Sequence, residues 1–266
     1  MAGPTTGTRH ENQPGKADRT MRLTERIWLV GSGLQGSGLT NDFDCHVYLV
    51  DCGSSAVLID SGAGIEPDRI TAEIGAAGFT LDRISHLLLT HGHADHSGGV
   101  AYFRQRTGCA VVASVEVAGF MERGDTTAIS LDLAKEAGIY PADYQWRTCP
   151  VAVTLADGQA IQVGDSVFTA LATPGHAAGH LSFTTTGEYG PVLFAGDAVF
   201  HGGQILLQAI EDCSIWQYRQ TIRKLADLEI ATLLPGHKTL VMRNGQAHIA
   251  LAEQAFRTLM PPRNLL

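Results

Sequence analysis

The sequence predicts an α/β chain in which two β-sheets lie face to face with helices on the outside. Three observations predict it. Short apolar runs of strand length alternate with segments of helical periodicity. The second half of the chain echoes the first: Val57-Leu-Ile-Asp60, a helix and Leu87-Leu-Leu-Thr-His91 are matched by Val192-Leu-Phe-Ala-Gly-Asp197, a helix and Thr232-Leu-Leu-Pro-Gly-His237. In both halves, side chains able to bind a metal stand just beyond strand ends. The halves should therefore meet where those side chains converge.

Taken in order, residues 1–20 are rich in Gly, Thr, Pro and charge, with little to bury, and read as a disordered extension. They lack the apolar stretch of a signal peptide. One domain is expected over 21–266, a length that can enclose a substantial core. Arg26–Val30 is a strand, followed by a Gly/Ser-rich loop over Gly31–Gly38. Cys45–Val50 and Ala56–Ile59 are strands separated by a turn at Asp51–Ser54. Glu66-Pro67-Asp68 opens a capped helix, with Ile70 and Ile74 on one face and Gly78 beyond. A buried strand carries Leu87-Leu88-Leu89 and ends at His91, a helix follows from Ser97 with Val100 and Phe103 inward, and Cys109–Ala113 returns as a strand.

From about 115 to 149 the pattern gives way to a helical insert of mixed polarity, with Phe120, Met121, Ile129, Leu131, Tyr140, Tyr144 and Trp146 among its apolar members. It leaves the chain after the first histidine cluster and rejoins it before His176. Two readings stand: a lid over the site, or a helical pair packed on a sheet edge. A later helix starts at Ser214 with Ile215, Tyr218, Ile222, Leu225 and Leu228 at helical spacing. A last one carries Ile249, Ala252, Phe256 and Leu259 before Pro261-Pro262 stops it.

The chemistry concentrates in Thr90-His-Gly-His-Ala-Asp-His-Ser-Gly-Gly99, which places His91, His93, Asp95 and His96 within six residues. A lone histidine in a polar loop is by default a solvated one. Four ligand-type residues this close, with His176, Asp197 and His237 each following an apolar run and a glycine, point to a metal site. His91 and His93 are two apart and can lean to one side of an extended segment, so Asp95 and His96 must serve another direction. That suggests two neighbouring metals.

With these residues in view, the chain resembles the metallo-β-lactamase-fold hydrolases, and within them the glyoxalase II-like branch. The resemblance runs from about Arg26 to His237. It implies a four-layer αβ/βα sandwich with the metals at one edge. It implies one metal on His91, His93 and His176, a second on Asp95, His96 and His237, and Asp197 bridging. Two divalent ions are expected, zinc foremost, with iron or manganese also suited to this donor set. A hydroxide between the metals would be the nucleophile, since coordination lowers the pKa of water toward neutrality. Asp95 and Asp197 are the expected catalytic carboxylates, Asp95 being placed to receive or hand on a proton. Asp60 reads either as an acceptor behind a ligand imidazole or as a turn or helix-cap aspartate. His180 follows His176 by four, and in the family pattern that histidine is structural, so it is left out of the ligand set. His46, His86, His201 and His248 match no pattern, though His201 follows the apolar Ala198-Val-Phe200.

Composition narrows the function. The formal net charge is −8 and no Lys/Arg cluster stands out, which argues against nucleic acid as a partner. Five cysteines without a Cys-x-x-Cys pair suit reduced thiols in the cytoplasm, with Cys45 and Cys109 in the core. No apolar run is long enough for a bilayer. The filled Asp197 position resembles glyoxalase II-like hydrolases and lactonases, whereas true β-lactamases of this fold generally lack the bridging acid. The chain stops soon after His237, so glyoxalase II's helical glutathione-binding domain is not expected. The leading expectation is a dinuclear hydrolase of an ester, lactone or thioester in a compact, partly apolar small molecule. The alternatives are a mononuclear iron persulfide dioxygenase, a β-lactam hydrolase, and a non-catalytic metal-binding module. A complete ligand set with a filled bridge exceeds what the last of these needs.

Overall fold

The computed structural model describes residues 20–265. The expected disordered extension over 1–20 lies outside them, Thr20 excepted. The first sheet is built from β1 (Met21–Arg22), β2 (Ile27–Gly31), β3 (Val47–Asp51), β4 (Ala56–Ile59), β5 (Ile84–Leu88), β6 (Ala110–Ala113) and β7 (Val153–Thr154), hydrogen-bonded in chain order. The second contains β8 (Ala160–Val163), β9 (Ser166–Ala172), β10 (Leu181–Gly187), β11 (Gly190–Gly196) and β12 (Thr232–Pro235), in the order β12-β11-β10-β9-β8.

Strands β2 to β6 of the first sheet and β11 and β12 of the second are covered on both faces, which explains their near-continuous apolar runs. Along β3, Val47 and Leu49 point to an outer core, while Tyr48 and Val50 point to the other sheet. Between the sheets, Tyr48, Val57, Ile59, Leu88 and Val112 meet Phe168, Phe183, Phe194 and Leu234. Truncating a ring such as Phe194 there would cost about 3–5 kcal/mol. Outside the first sheet lie α1 (Pro67–Ala76), through Ile70 and Ile74, and α3 (Val100–Thr107), through Val100 and Phe103. Outside the second lie α6 (Ile215–Ala226), through Tyr218, Ile222 and Leu225, and α7 (Gly245–Arg257), through Ile249, Ala252 and Phe256. The result is four layers: helix, sheet, sheet, helix.

The echo between the halves is real in three dimensions. β4 pairs with β5 in parallel across α1, and β11 pairs with β12 in parallel across α6. Each parallel pair is flanked by antiparallel neighbours, β3 beside β4 and β10 beside β11. Asp60 and His91 in one half thus correspond to Asp197 and His237 in the other.

Several boundaries differ from the sequence reading, each for a local reason. The third strand begins at Val47 because the Cys45 and His46 amides donate instead to Asp95 O and Gly236 O, at 3.3 and 2.6 Å. The strand expected to run to His91 stops at Leu88, and two residues on the Thr90 amide is taken by the Asp60 carboxylate at 2.7 Å. The helix expected from Ser97 begins earlier, as the single turn α2 (Ala94–Ser97), so Asp95 and His96 are helical. Glu66 does not cap α1 with its side chain, because that carboxylate is held by Asn41 and Arg69 at 2.8 and 3.2 Å. Leu259 lies past the end of the last helix and is exposed.

The insert does both of the things it was expected to do in the alternative. Its first helix, α4 (Val115–Arg123), buries Val117 and Met121 against the outer core of the first sheet. Its second part, through α5 (Leu131–Glu136) to Tyr140, overhangs the cavity described next.

Candidate metal centre

Seven side chains from both halves converge beyond the strand ends. His91, His93 and His176 form one group and Asp95, His96 and His237 another, the ligand atoms within each lying within 4.8 Å of one another. Asp197 stands between them: its Oδ2 is 3.4 Å from His176 Nε2 and 3.5 Å from His237 Nε2, and its Oδ1 is 3.5 Å from His96 Nε2. Asp95 Oδ2 is 3.0 Å from His237 Nε2.

The surroundings decide which ring nitrogen faces inward. Asp60, as a carboxylate, only accepts, so His96 donates from Nδ1 to Asp60 Oδ2 at 2.8 Å and keeps its Nε2 lone pair free. Thr90 donates its hydroxyl hydrogen to the same oxygen at 2.8 Å, so Thr90 Oγ1 can only accept from His91 Nδ1 at 3.0 Å. That leaves His91 Nε2 unprotonated and inward. His176 Nδ1 donates to Leu206 O at 3.1 Å, and His93 Nε2 donates to Asp212 Oδ2 at 3.1 Å. His176 Nε2 and His93 Nδ1 are therefore both lone pairs, and they stand 2.9 Å apart.

Two lone pairs at that distance repel unless a cation or a proton lies between them. His91 Nε2 and Asp197 Oδ1 are buried and have no hydrogen-bond partner, a costly arrangement for polar atoms that no ligand would use. The donors are all imidazole nitrogen and carboxylate oxygen. These residues fit divalent transition-metal binding.

Glycines keep the centre open. A Cβ on Gly236 would run into Asp197 Oδ1 and His96, and one on Gly196, whose φ is +51°, would meet His180 Nε2 at 2.6 Å. Both glycines lie at strand ends, where the backbone must approach the ligands closely.

Burial and charge act on the site in opposition. Burial pushes His91 well below the ordinary imidazole range and His176 down to about 4, so both favour the neutral, ligating form. Burial alone would also lower His96, but the carboxylates of Asp95, Asp197 and Asp60 hold it well above that range, so its inward Nε2 favours a positive partner, a proton or a metal ion. Burial likewise opposes ionisation of Asp95 and Asp197, yet neighbouring imidazoles, His96 first for Asp95 and His237 first for Asp197, keep both below the usual carboxylate value.

Asp212 had no signal in the sequence. It precedes α6, far from the histidine cluster in chain terms, yet it holds His93 with one oxygen and accepts from Ser130 Oγ with the other at 2.8 Å. It thereby joins the insert to a candidate ligand. His180 sits behind the site: its Nε2 accepts from the Asp197 amide at 3.1 Å and its Nδ1 is 2.8 Å from Thr173 Oγ1. His201 packs on the surface against His248, with ring centroids 4.6 Å apart, and does not line the cavity. His46 is buried behind His237, with Nε2 2.9 Å from Lys238 O.

A cavity of about 320 Å³ opens onto this floor. His93, Asp95, His176, Asp197 and His237 form its polar end. Ile129, Leu131, Leu133 and Ile139 of the insert face Leu206 and Ile210 across it. No lysine or arginine lines it among the described residues.

Residues 40–237 match the family model of the metallo-β-lactamase superfamily. An atrochrysone carboxyl ACP thioesterase of Aspergillus fumigatus is 28% identical over 197 residues, covering 74% of this chain and 51% of the relative. A lactamase-like protein, adaB, of Aspergillus niger is 30% identical over 199 residues, covering 74% and 50%. The chain thus spans about half the length of these relatives. A metallo-β-lactamase of Cronobacter sakazakii superposes with a TM-score of 0.69 at 21% identity, covering 90% of this chain and 96% of the other. A subclass B3 metallo-β-lactamase of Bradyrhizobium japonicum gives 0.68 at 23%, covering 90% and 93%. At such identities the likeness to these two structures shows the fold alone.

Proposed function

Because the chain belongs to the metallo-β-lactamase superfamily, we propose that it is a dinuclear metal-dependent hydrolase of an ester, lactone or thioester bond in a small, largely apolar acyl compound. The observation that carries this reading is Asp197, a buried carboxylate between two three-residue groups at the floor of an apolar cavity.

His91, His93 and His176 would hold one ion, Asp95, His96 and His237 the other, with Asp197 touching both. Zinc is the proposed metal, and iron or manganese would suit the same donors. Bound divalent metals lower the pKa of water toward neutrality and polarise a carbonyl. The chain supplies the rest. Asp95 lines the cavity and remains part-exposed, so its carboxylate can take a proton from the attacking water and return it to the leaving oxygen or sulfur. The insert's aliphatic wall orients the acyl group and keeps bulk water from it.

Charge selects against other substrates of this fold. Lys135, the insert's one lysine, spends its ammonium on Tyr144 O at 2.8 Å and lies outside the cavity lining. A phosphodiester or the carboxylate of a β-lactam would find no cationic side chain there. The thioesterase named among the relatives supports the acyl-bond reading. All five cysteines are unpaired, which supports the proposal of a reducing, cytoplasmic setting. The proposed partner is a small molecule.

The test is the metal-loaded protein assayed on lactones, thioesters, phosphodiesters and β-lactams beside an oxygen electrode, with persulfide as the competing substrate. Hydrolysis of neutral acyl compounds without oxygen uptake is expected. Oxygen uptake with persulfide, and no hydrolysis of anything in the panel, would overturn the proposal.

A further inference from the structure

Tyr140 ends the overhanging part of the insert, directly before Pro141, which disfavours helical backbone at the preceding residue. The Tyr144 amide then donates to Pro141 O at 3.0 Å, a turn that brings the Tyr144 ring back beneath Tyr140. Three rings stack in consequence: Phe43 on Tyr140 with centroids 5.5 Å apart, and Tyr140 on Tyr144 at 5.0 Å, both at 24°. The stack is anchored at one end by the Tyr144 hydroxyl, which donates to Ala63 O at 2.7 Å. Phe43, at the other end, belongs to the loop ahead of β3. Stacking of this kind fixes a ring that the insert alone would leave mobile.

The fixed ring lines the cavity beside Asp95 and His237. Its phenol carries one hydrogen to donate, beside an oxygen that can accept. Among the described residues no carbonyl or carboxylate receives that hydrogen at hydrogen-bond distance. Beyond the metal-ligand candidates the lining is largely aliphatic, with Ile129, Leu131, Ile139 and Leu206 among it and Ser130 and Gln208 as its other polar members. A hydroxyl held at the border between an aliphatic wall and a metal floor is where the polar end of an acyl compound must pass.

We propose that Tyr140 contacts the substrate in this cavity, its phenolic O–H donating a hydrogen bond to the acyl oxygen as negative charge develops on it. The proposal rests on the hydrolase reading, and it names a neutral acyl group with one acceptor oxygen as the recognised element. The hydroxyl holds that oxygen from the insert side while the apolar wall holds the chain. Because the aromatic stack, and not the hydroxyl, supports the insert, the two roles of the residue are separable by substitution.

The experiment compares wild type, Tyr140→Phe and Tyr140→Leu as zinc-loaded proteins. The probes are hexanoyl N-acetylcysteamine thioester as substrate and its ketone analogue, with CH₂ in place of sulfur, as a non-hydrolysable ligand. Zinc content and Tm are read beside kcat, KM and the calorimetric Kd of the ketone. Tyr140→Phe is expected to keep zinc and Tm while kcat/KM falls roughly 10- to 100-fold, the value of a hydrogen bond to a charged oxygen. Most of that loss should appear in kcat, and the ketone should bind several-fold more weakly. Tyr140→Leu should in addition lower Tm, since it loses the stack. A Phe variant with unchanged kcat/KM and unchanged ketone binding overturns the proposal. If wild type binds the ketone but hydrolyses no acyl bond, weaker binding by Tyr140→Phe still supports the contact while the hydrolase reading falls. A zinc-loaded wild type that neither hydrolyses the thioester nor binds the ketone overturns both.

Discussion

Asp60 Oδ2 stands 2.8 Å from His96 Nδ1, and this contact between residues 36 apart in sequence orients a whole side of the candidate metal centre. The same carboxylate accepts from the Thr90 amide and hydroxyl, at 2.7 and 2.8 Å, and Thr90 in turn fixes the His91 tautomer. One buried acid thus sets the inward lone pairs of two candidate ligands that belong to different metal groups. Asp60 pays for the position with a left-handed backbone, φ +61°, unusual for a residue with a side chain.

Asp60→Asn keeps the shape but can turn an amide donor toward His96 Nδ1. The variant should fold and lose zinc affinity by about 10- to 100-fold, the usual cost of removing a carboxylate behind a ligand histidine. Competition with a chromophoric chelator measures it. Unchanged affinity would show that Asp60 serves only the turn.

Asp212→Ala should weaken zinc at the His93 side by a similar factor of about 10 to 100, because His93 Nε2 loses its acceptor. Ser130→Ala should cost less, since the Asp212 contact to His93 remains. Equal losses in the two variants would mean that the insert, and not the acid, holds His93 in place.

The difference between these two acids also shows how much was legible from sequence. His91, His93, Asp95 and His96 announce themselves by crowding, and His176, Asp197 and His237 by a shared strand–glycine–ligand order. Asp60 could be named because it ends a strand in the same place as Asp197, although the sequence left its role open between acceptor and turn. Asp212 obeys no spacing: its partners, His93 and Ser130, are 119 and 82 residues away and meet it only once α6 packs on the second sheet. The strands Ile27–Gly31, Val47–Asp51, Ala56–Ile59, Ile84–Leu88, Ala110–Ala113, Gly190–Gly196 and Thr232–Pro235 were visible as apolar runs, but Leu181–Gly187, at the centre of the second sheet, was not, because its second half is Thr- and Gly-rich. Ala160–Val163 was not, since it is an edge strand whose side chains are mostly solvent-facing. The insert's double use was undecidable, because residues that pack on a core and residues that wall an apolar cavity have the same composition.

His180→Ala should destabilise the protein by roughly 2–4 kcal/mol, since it opens a cavity and strands the buried Asp197 amide. It should still bind zinc in the same stoichiometry. His176→Ala should lose metal outright. If the two variants lose metal alike, the assignment of His180 to a supporting place is wrong.

Asp197→Asn removes charge and little volume. In chelator-treated protein its Tm should lie within about 5 °C of wild type, because no protein donor satisfies Asp197 Oδ1 in any case. Added zinc should stabilise wild type by about 2.7 kcal/mol for each site filled at a hundredfold excess over its Kd, and so raise its Tm. The variant should gain markedly less. An equal gain would remove Asp197 from between the metals.

The account rests above all on two ions sharing one carboxylate, and the metal content of the purified, metal-saturated protein tests it most directly. Elemental analysis after removal of free zinc should give close to two equivalents per chain. Protein that stays folded and saturated at no more than one equivalent would contradict the dinuclear centre and favour a single-metal reaction.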